Sequence, residues 1–330
     1  MATLYLTEQG SVIRKTSDRL VVTKKREVLA EIPCAKLETI FLYGAVQVTT
    51  QALAELLDNG IELALFTLNG RLRGQITPPK AKNVVLRFKQ YELVLDKQRC
   101  LQLSQEVVAA KIANAAAVLR RYRKNDPEAV SLESFQDLDT FQQRIEKVAT
   151  LDELRGTEGA AAAKYFAAMA GLVPPELGFT GRNRRPPRDP LNALLSLGYV
   201  LVGNELQALL DGMGFDPYLG FYHQIDYGRA SLALDLLEEL RAPLIDRFSL
   251  GLLKLRKLVP DDFLSTPDKG VILKREPLKI YFRAYGEELA RPRELDGEEL
   301  TFRQLFRRQA ERMANALVRD EPYRSFRWPG

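Results

Sequence analysis

The periodicity of the apolar residues changes once along this chain, near residue 84. Before that point, short runs rich in β-branched residues alternate with turn residues, and Asn69 and Gly70 form a strong hairpin signal between two of these runs. The stretch 49–60 is an exception, because it has helical spacing and ends at Gly60, which we expect to close a helix. After residue 84, Ala- and Leu-rich segments such as 103–124 repeat with a period of 3.6 residues.

This change predicts an α+β protein in which a strand-rich N-terminal domain over residues 1–88 precedes a larger all-α C-terminal domain over residues 89–330. A chain of 330 residues with 46% hydrophobic content is large enough for two cores. The last ten residues, 321–330, have no helical periodicity, and we expect them to be loosely attached.

The composition limits the classes of protein to be considered. Lys and Arg total 48 against 43 Asp and Glu, and the net charge of +5 is compatible with a polyanionic partner without requiring one. Cys34 and Cys100 are far apart in the sequence and belong to no CxxC motif, and no secretory leader precedes them. The apolar run 191–203 is shorter than the roughly 20 residues that span a bilayer. We therefore expect a soluble, cytoplasmic protein with reduced thiols.

The only histidine of the chain, His223, lies shortly before a segment with three carboxylates. We expect Ser231 to cap a helix that begins just after it, in which Asp235 shares one face with Glu238 or with Glu239. Like charges at this spacing repel, so the cluster requires a cation or a solvated surface. One imidazole with two carboxylates suits Mn²⁺ or Mg²⁺ better than a structural zinc ion. A hydrogen-bonded histidine beside a solvated acidic face is the alternative.

Glu158 is a candidate for a third metal ligand. It lies at the predicted start of the small-residue helix 158–171, where the positive end of the helix dipole favours a carboxylate. The alanines of this helix allow another helix to approach closely. The alternative is that Glu158 only caps the helix, and the pattern alone favours that role.

Basic residues form two clusters that could contact nucleic acid. Four arginines lie within seven residues of a proline-rich loop: Arg182, Arg184, Arg185 and Arg188. Arginine suits bidentate phosphate contacts, so this loop is a candidate for binding the DNA backbone. The second cluster, 120–124, places Tyr122 among four cations. An ordinary charged surface is the alternative for either cluster.

Three blocks in this order resemble the signature blocks of the CRISPR adaptation integrases, the endonuclease subunits that insert new spacers into a CRISPR array. The blocks are LRGTEGAAAAKYF, RPPRDPLNALLSLGY and GFYHQIDYGRASLALDLLEELRAP. The resemblance extends over nearly the whole chain, since that family also pairs an N-terminal β domain with a larger helical domain.

The resemblance implies that Glu158, His223 and Glu238 bind Mn²⁺ or Mg²⁺ at the catalytic centre. Asp235 would lie beside them as a carboxylate that acts through water or through a ligand. Three further residues are similar to the polar residues that line this site in the family: Tyr165, Asn192 and Tyr199. Tyr222 stands where the family often has an aliphatic residue, and this departure does not fall on a ligand position.

The resemblance also implies an activity and partners. A 3′-hydroxyl of captured DNA would attack a phosphodiester at the leader–repeat junction, water in its place would give nuclease activity, and reversal would disintegrate branched DNA. The partners would be double-stranded and branched DNA, a second copy bound through the β domains, and a small ferredoxin-like companion subunit in a heterohexameric complex. A repair nuclease for branched DNA and a non-catalytic DNA-binding scaffold are the alternatives.

Overall fold

Strands dominate the first part of the chain and helices dominate the remainder, which confirms the predicted α+β class. The computed structural model describes residues 2–68, 72–77, 83–183, 186–268 and 270–329. The chain divides into a first unit, Met1–Lys82 with Asp211–Gly214, and a second unit, Asn83–Leu210 with Phe215–Gly330. The predicted domain boundary after residue 88 falls inside a helix of the second unit, Val84–Leu95.

The described strands of the first unit form two four-stranded sheets, with orders β1-β5-β7-β8 and β4-β3-β2-β6. Their bounds are Ala2–Leu6 (β1), Ser11–Thr16 (β2), Arg19–Lys24 (β3), Glu27–Pro33 (β4), Leu37–Tyr43 (β5), Gln47–Val48 (β6), Glu62–Phe66 (β7) and Leu72–Ile76 (β8). The two strands β2 and β3 pair antiparallel with Ile13 opposite Val22, and both side chains are fully buried in the core of this unit. β-Branched residues at alternate positions therefore form the inner face of the sheet.

The first helix, Thr50–Asp58 (α1), confirms the helix predicted over 49–60. Thr49 caps its start by accepting a hydrogen bond from the backbone N–H of Ala52, and Gly60 follows its end with a φ of 70°. A residue with a Cβ atom adopts this left-handed conformation only with strain, which explains the glycine. The predicted Asn69-Gly70 turn lies outside the described residues, but β7 and β8 on either side of it pair antiparallel.

Helices form most of the described chain after residue 83. Their bounds are Val84–Leu95 (α2), Lys97–Asn125 (α3), Leu132–Ile145 (α4), Leu151–Ala170 (α5), Pro190–Met213 (α6), Ser231–Leu237 (α7), Arg247–Lys254 (α8), Arg275–Ala290 (α9) and Phe302–Val318 (α10). Among the described residues, α6 is the helix that is long and apolar enough to cross a membrane by length and composition alone. Buried residues make up 61% of its most apolar window, as in a helix at the core of a protein.

The prediction that this region is all-α was wrong in one respect, because it also contains two short antiparallel hairpins. They are formed by Phe263–Thr266 (β9) with Gly270–Leu273 (β10), and by Arg293–Leu295 (β11) with Glu298–Leu300 (β12). In the second hairpin, Asp296 and Gly297 both have positive φ, at 57° and 78°. An Asp-Gly pair is a strong signal for this type of turn, so the hairpin could have been predicted from the sequence.

The helical segment from Ser231 to Lys254 is irregular in its middle. After α7 the chain makes a 3₁₀ turn over Glu238–Leu240 and a π-helical turn over Arg241–Asp246, and then continues as α8. Pro243 has no N–H and cannot donate to the carbonyl of Glu239. The side-chain amide of Asn114 donates to that carbonyl instead, at 2.7 Å. The irregular turns change the directions of the side chains on either side of Pro243.

The C-terminal segment is packed against the protein, so the prediction that it is loosely attached was wrong. Tyr323 and Phe326 are 7% and 0% exposed. The backbone N–H of Phe326 donates to Glu239 Oε2 at 2.6 Å, and that of Trp328 donates to Asn114 Oδ1 at 2.7 Å. The absence of helical periodicity correctly predicted that this segment is not a helix. It did not predict the hydrogen bonds that hold the segment, because their partners are distant in the sequence.

Candidate metal centre

The second unit brings Glu158 and Glu238 together at the ammonium group of Lys111, and places His223 beside Glu238. Lys111 Nζ forms a short contact with Glu158 Oε1 and lies 2.6 Å from Glu238 Oε2. Nε2 of His223 lies 3.6 Å from Glu238 Oε1. These side chains come from α5, from the loop before α7, from the 3₁₀ turn after α7 and from α3.

Glu158 lies about two turns inside α5, so both roles considered for it at a helix start were wrong. The helix begins at Leu151, and Thr150 caps it by accepting a hydrogen bond from the backbone N–H of Glu153 at 3.2 Å. The helix starts earlier than predicted because this cap precedes residues with good helix propensity. Neither the helix dipole nor capping therefore explains the position of Glu158. Its contacts with Lys111 on α3 and with Tyr222 in the loop before α7 explain it instead.

Tyr222, where the family often has an aliphatic residue, contacts one of the predicted ligands. Its hydroxyl donates to Glu158 Oε2 at 3.4 Å, and its ring is buried. Burial and the nearby carboxylate of Glu158 raise the pKa of the tyrosine hydroxyl, so it keeps its proton and acts as a donor. Tyr222, which departs from the family pattern, therefore helps to orient Glu158.

Asp235 determines the orientation of His223. Its carboxylate accepts hydrogen bonds from the backbone N–H groups of Phe221, Tyr222 and His223, at 2.7, 3.1 and 2.9 Å. Nδ1 of His223 lies 2.7 Å from Asp235 Oδ1. Because an ionised carboxylate only accepts hydrogen bonds, Nδ1 carries a proton and the Nε2 lone pair of a neutral ring is available to a metal ion.

The loop can fold around Asp235 because residue 220 is glycine. A Cβ atom on Gly220 would lie 2.6 Å from Asp235 Oδ2 and 2.8 Å from the backbone carbon of Ser231. Ser231 does not cap α7 as predicted: the helix begins at Ser231 itself, and its hydroxyl donates to the carbonyl of Gln224 at 3.1 Å. The serine therefore holds the loop that carries His223.

Glu238 is buried beside several positive groups. Burial opposes ionisation, but Arg241 and Lys111 together hold the pKa of this carboxyl well below its usual range. Its Oε2 atom is buried and lies 2.6 Å from Lys111 Nζ and 2.9 Å from Arg241 Nε. Glu238 is thus an ionised carboxylate held by positive groups.

Glu239 has a different environment from its neighbour. Its carboxylate accepts hydrogen bonds from Gln309 Nε2 at 3.0 Å, from the Tyr323 hydroxyl at 2.9 Å and from the backbone N–H of Phe326. Burial raises the pKa of this carboxyl to about 7. Glu239 therefore holds the C-terminal segment and does not contact the other predicted ligands.

Tyr165 and Tyr199 converge on an aspartate that the sequence analysis missed. Their hydroxyls donate to Asp246, at 3.0 and 2.5 Å, and burial raises the pKa of this carboxyl to about 6. A cavity of about 40 Å³ is lined by all three residues and by Lys111 and Glu158. No sequence signal identified Asp246, because it follows Pro243 in a turn whose geometry is not that of a regular helix.

The structure does not bring Asn192 to the predicted ligands. Its buried side chain donates to the carbonyl of Gly181 and to Asp189, and its Oδ1 accepts a hydrogen bond from Arg182 Nη1 at 2.7 Å. The guanidinium of Arg182 also lies 5.4 Å from the centre of the Tyr199 ring. Asn192 therefore shapes the loop before α6 and positions Arg182.

The remaining basic candidates have mixed outcomes. Arg188 is exposed, whereas Arg184 and Arg185 lie outside the described residues. In the cluster 120–124, the hydroxyl of Tyr122 donates to the carbonyl of Arg247 at 3.3 Å, and this ring packs against the protein. The tyrosine is thus not presented to a nucleic acid base.

The residues fit a divalent cation, although no three His, Cys, Asp or Glu side chains within the described ranges form a ready-made ligand set. Lys111 separates the two glutamates and contacts both of them. Its ammonium group thus stands at a place where the chain already stabilises positive charge. Two carboxylates and one imidazole nitrogen suit Mn²⁺ or Mg²⁺, and both carboxylates already have a cation beside them.

Comparison with known proteins identifies the family of this chain. The family model described as CRISPR associated protein Cas1 matches residues 4–287. The CRISPR-associated endonuclease Cas1 3 of Thermus thermophilus is 34% identical over 325 residues, which cover 97% of this chain and 95% of the relative.

Two solved structures share the fold. A casposase bound to its integration product superposes with a TM-score of 0.84 at 23% identity, covering 100% of this chain and 94% of the casposase. A Cas6-RT-Cas1–Cas2 complex superposes with a TM-score of 0.78 at 25% identity, covering 97% of this chain and 35% of the fusion chain. Because the family model spans most of the chain and a curated relative is similar over nearly its full length, the chain belongs to the Cas1 family of CRISPR-associated proteins.

Proposed function

We propose that this chain is a metal-dependent DNA endonuclease and strand transferase that inserts spacer DNA into a CRISPR array. The main support is that Glu158 and Glu238 meet at one position of positive charge and that His223 lies beside Glu238. The Thermus thermophilus relative is named as an endonuclease, and the casposase is bound to an integration product. These names favour cleavage and joining of DNA over a purely structural role.

Glu158, Nε2 of His223 and Glu238 would hold Mn²⁺ or Mg²⁺. When bound, such an ion polarises a phosphate and stabilises negative charge on the attacking and leaving oxygens. Asp235 keeps the proton on Nδ1 of His223, so that the other ring nitrogen faces Glu238. Arg241 adds positive charge beside Glu238, and a guanidinium group suits contacts with phosphate.

The reaction is a phosphoryl transfer. A bond forms between phosphorus and the incoming 3′-oxygen while the bond between phosphorus and the leaving 3′-oxygen breaks, and the hydroxyl proton passes to solvent or to the leaving strand. No covalent protein intermediate is needed. Water in place of the 3′-hydroxyl gives hydrolysis, so cleavage and joining share one site.

The partners follow from the same proposal. We assign binding of the DNA backbone to the arginine loop of Arg182, Arg184, Arg185 and Arg188, and dimerisation to the β domain over residues 1–88. The small companion subunit would be of the Cas2 type, since one of the similar structures is a complex that contains Cas2. Double-stranded and branched DNA would be the substrates.

The test is cleavage and strand joining on a branched DNA with Mn²⁺, Mg²⁺ or EDTA. We expect metal-dependent activity in the wild type, none in His223→Ala and nearly normal activity in the neighbouring control Gln224→Ala, with DNA binding retained in all three. Wild-type protein that binds DNA but is inert with either metal, both alone and with the companion subunit, would contradict the proposal and favour a scaffold. Cleavage without joining at a leader–repeat junction would favour a repair nuclease.

A further inference from the structure

Lys111 places an ammonium group where the proposed metal ligands meet. Its Nζ contacts Glu158 Oε1 and lies 2.6 Å from Glu238 Oε2, and its side chain is 17% exposed. We propose that Lys111 is a built-in competitor of the metal ion: its ammonium neutralises the two carboxylates when no metal is bound and must leave them before a divalent cation binds. This inference rests on the metal-dependent function proposed above.

The position of Lys111 on α3 is unusual for a lysine. The residues around it on this helix are mainly buried and apolar: Val107, Val108, Ala110, Ile112 and Ala115. A charged group placed among such residues requires a partner, because it loses hydration. One carboxylate would satisfy one ammonium group, yet Lys111 contacts two carboxylates from different elements. The lysine thus compensates the charge of the ligand pair as a whole.

The alternative partners of Glu238 do not perform this function for both carboxylates. Arg241 Nε lies 2.9 Å from Glu238 Oε2, and His223 Nε2 lies 3.6 Å from Glu238 Oε1. Glu158 has the hydroxyl of Tyr222 as its other described hydrogen-bond donor, and this group is neutral. Lys111 is therefore the cation that the described contacts give to Glu158, and without it two carboxylates would approach each other with one of them uncompensated.

A metal ion and the ammonium group cannot share these oxygens. Mg²⁺ lies about 2.0–2.1 Å from its oxygen ligands, so an ion on Glu158 and Glu238 would occupy the space next to Lys111 Nζ. Two cations a few ångströms apart in a partly buried site repel strongly. Binding of the ion thus requires that the ammonium move away, and this displacement reduces the measured affinity for the metal.

The lysine can move without movement of its helix. Its side chain lines the cavity of about 40 Å³ that also borders Tyr165 and Asp246, and four rotatable bonds allow the ammonium to take another position. One turn further along α3, Asn114 holds the backbone by donating to the carbonyls of Glu239 and Phe326. The exchange of cations is therefore a side-chain movement.

The test measures binding of Mn²⁺ to the full chain without DNA, by isothermal titration calorimetry. Lys111→Met is expected to bind Mn²⁺ at least about tenfold more tightly than the wild type, because the competing charge is gone. The control Lys164→Met removes an exposed lysine of α5 that pairs with Asp137 at 2.9 Å, and its affinity should equal that of the wild type.

Thermal unfolding gives a second readout. In EDTA, Lys111→Met is expected to melt at a lower temperature than the wild type, since its carboxylates lack their cation, and Mn²⁺ should raise its melting temperature by a larger increment. Where Lys111→Met does not fold, Lys111→Gln replaces it, because its amide can still donate hydrogen bonds but has no charge.

The outcomes separate this inference from the proposed function. If the wild type binds Mn²⁺ and the neutral variants bind it with equal or lower affinity, the competitor role is overturned while the metal site stands. If neither the wild type nor the neutral variants bind Mn²⁺, both the ligand set and the competitor role are overturned. Binding that appears only in the neutral variants would support the competitor role in its strongest form.

Discussion

His223 and Asp235 are joined twice, because Nδ1 and the backbone N–H of His223 lie 2.7 and 2.9 Å from the same oxygen, Asp235 Oδ1. The first contact sets which ring nitrogen carries the proton, and the second holds the main chain that carries the ring. Asp235 therefore acts on the proposed metal ion through His223. In metal sites, a carboxylate that accepts a hydrogen bond from the second ring nitrogen of a ligating histidine commonly orients the ring and increases its basicity.

The first prediction concerns Asp235→Asn. The side-chain amide of asparagine would place N–H groups opposite some of the backbone N–H groups that now donate to the carboxylate. Nδ1 of His223 would also lose its hydrogen-bond acceptor. We expect Mn²⁺ affinity and strand transfer to fall by about 10- to 100-fold. Titration calorimetry and the joining assay measure the two effects. Asp226→Asn is the matched control on the exposed part of the same loop, and an equal loss in this control would contradict a specific role for Asp235.

The second prediction separates two adjacent glutamates. Glu238→Gln should abolish metal-dependent cleavage, because it removes the charge that faces Lys111 and His223. Glu239→Gln should retain most of the activity of the wild type and lose stability, because Glu239 accepts hydrogen bonds that hold the C-terminal segment. Activity assays and urea denaturation of both variants test this. The reverse order of activity loss would mean that Glu239 is the ligand.

The third prediction is a pH dependence of stability that arises from Asp246. Burial raises the pKa of its carboxyl from 3.8 to about 6, so the folded protein retains a proton that the unfolded chain releases. The resulting stabilisation is complete below pH 3.8 and is lost as the pH rises through about 6. The difference is about 3 kcal/mol at most, since one pKa unit corresponds to about 1.4 kcal/mol.

Asp246→Asn should remove this part of the pH dependence. The measurement is the free energy of unfolding by urea, in EDTA, for both proteins between pH 4 and 7.5. A smaller slope of the same sign should persist in the variant, because the raised pKa of Glu239 acts in the same direction. Curves that run parallel at all pH values would show that Asp246 does not titrate in this range.

The fourth prediction concerns the C-terminal segment. Phe326→Ala removes a fully buried ring next to the residues that bind Glu239 and Asn114. We expect a loss of about 3–5 kcal/mol in the free energy of unfolding. The exposed neighbour gives the control, and Arg324→Ala should leave stability within about 0.5 kcal/mol of the wild type. Similar stability for both variants would mean that the segment is as loosely attached as its sequence first indicated.

Local patterns in the amino-acid sequence were sufficient to predict the type of structure along the chain and to identify the principal candidate residues. Periodicity is a local property, so the change near residue 84 was sufficient to predict strands followed by helices. The grouping of His223 with Asp235 and Glu238 was also local, because all three lie within one short block. The role of Glu158 as a metal ligand was predicted from the resemblance of its block to a known family. The pattern around it placed the helix start at Glu158, whereas the helix begins at Leu151.

Which side chains meet depends on contacts between elements that are distant in the sequence. Lys111 contacts Glu158 and Glu238 from another helix. The sequence pattern around a lysine in an apolar helix does not predict which carboxylates it contacts. The difference between Glu238 and Glu239 arises from the irregular turns around Pro243, where regular helical spacing does not apply. The C-terminal segment is held by Glu239 and Asn114, which are distant in sequence. Local patterns determine the elements, whereas the contacts between elements depend on how the whole chain packs.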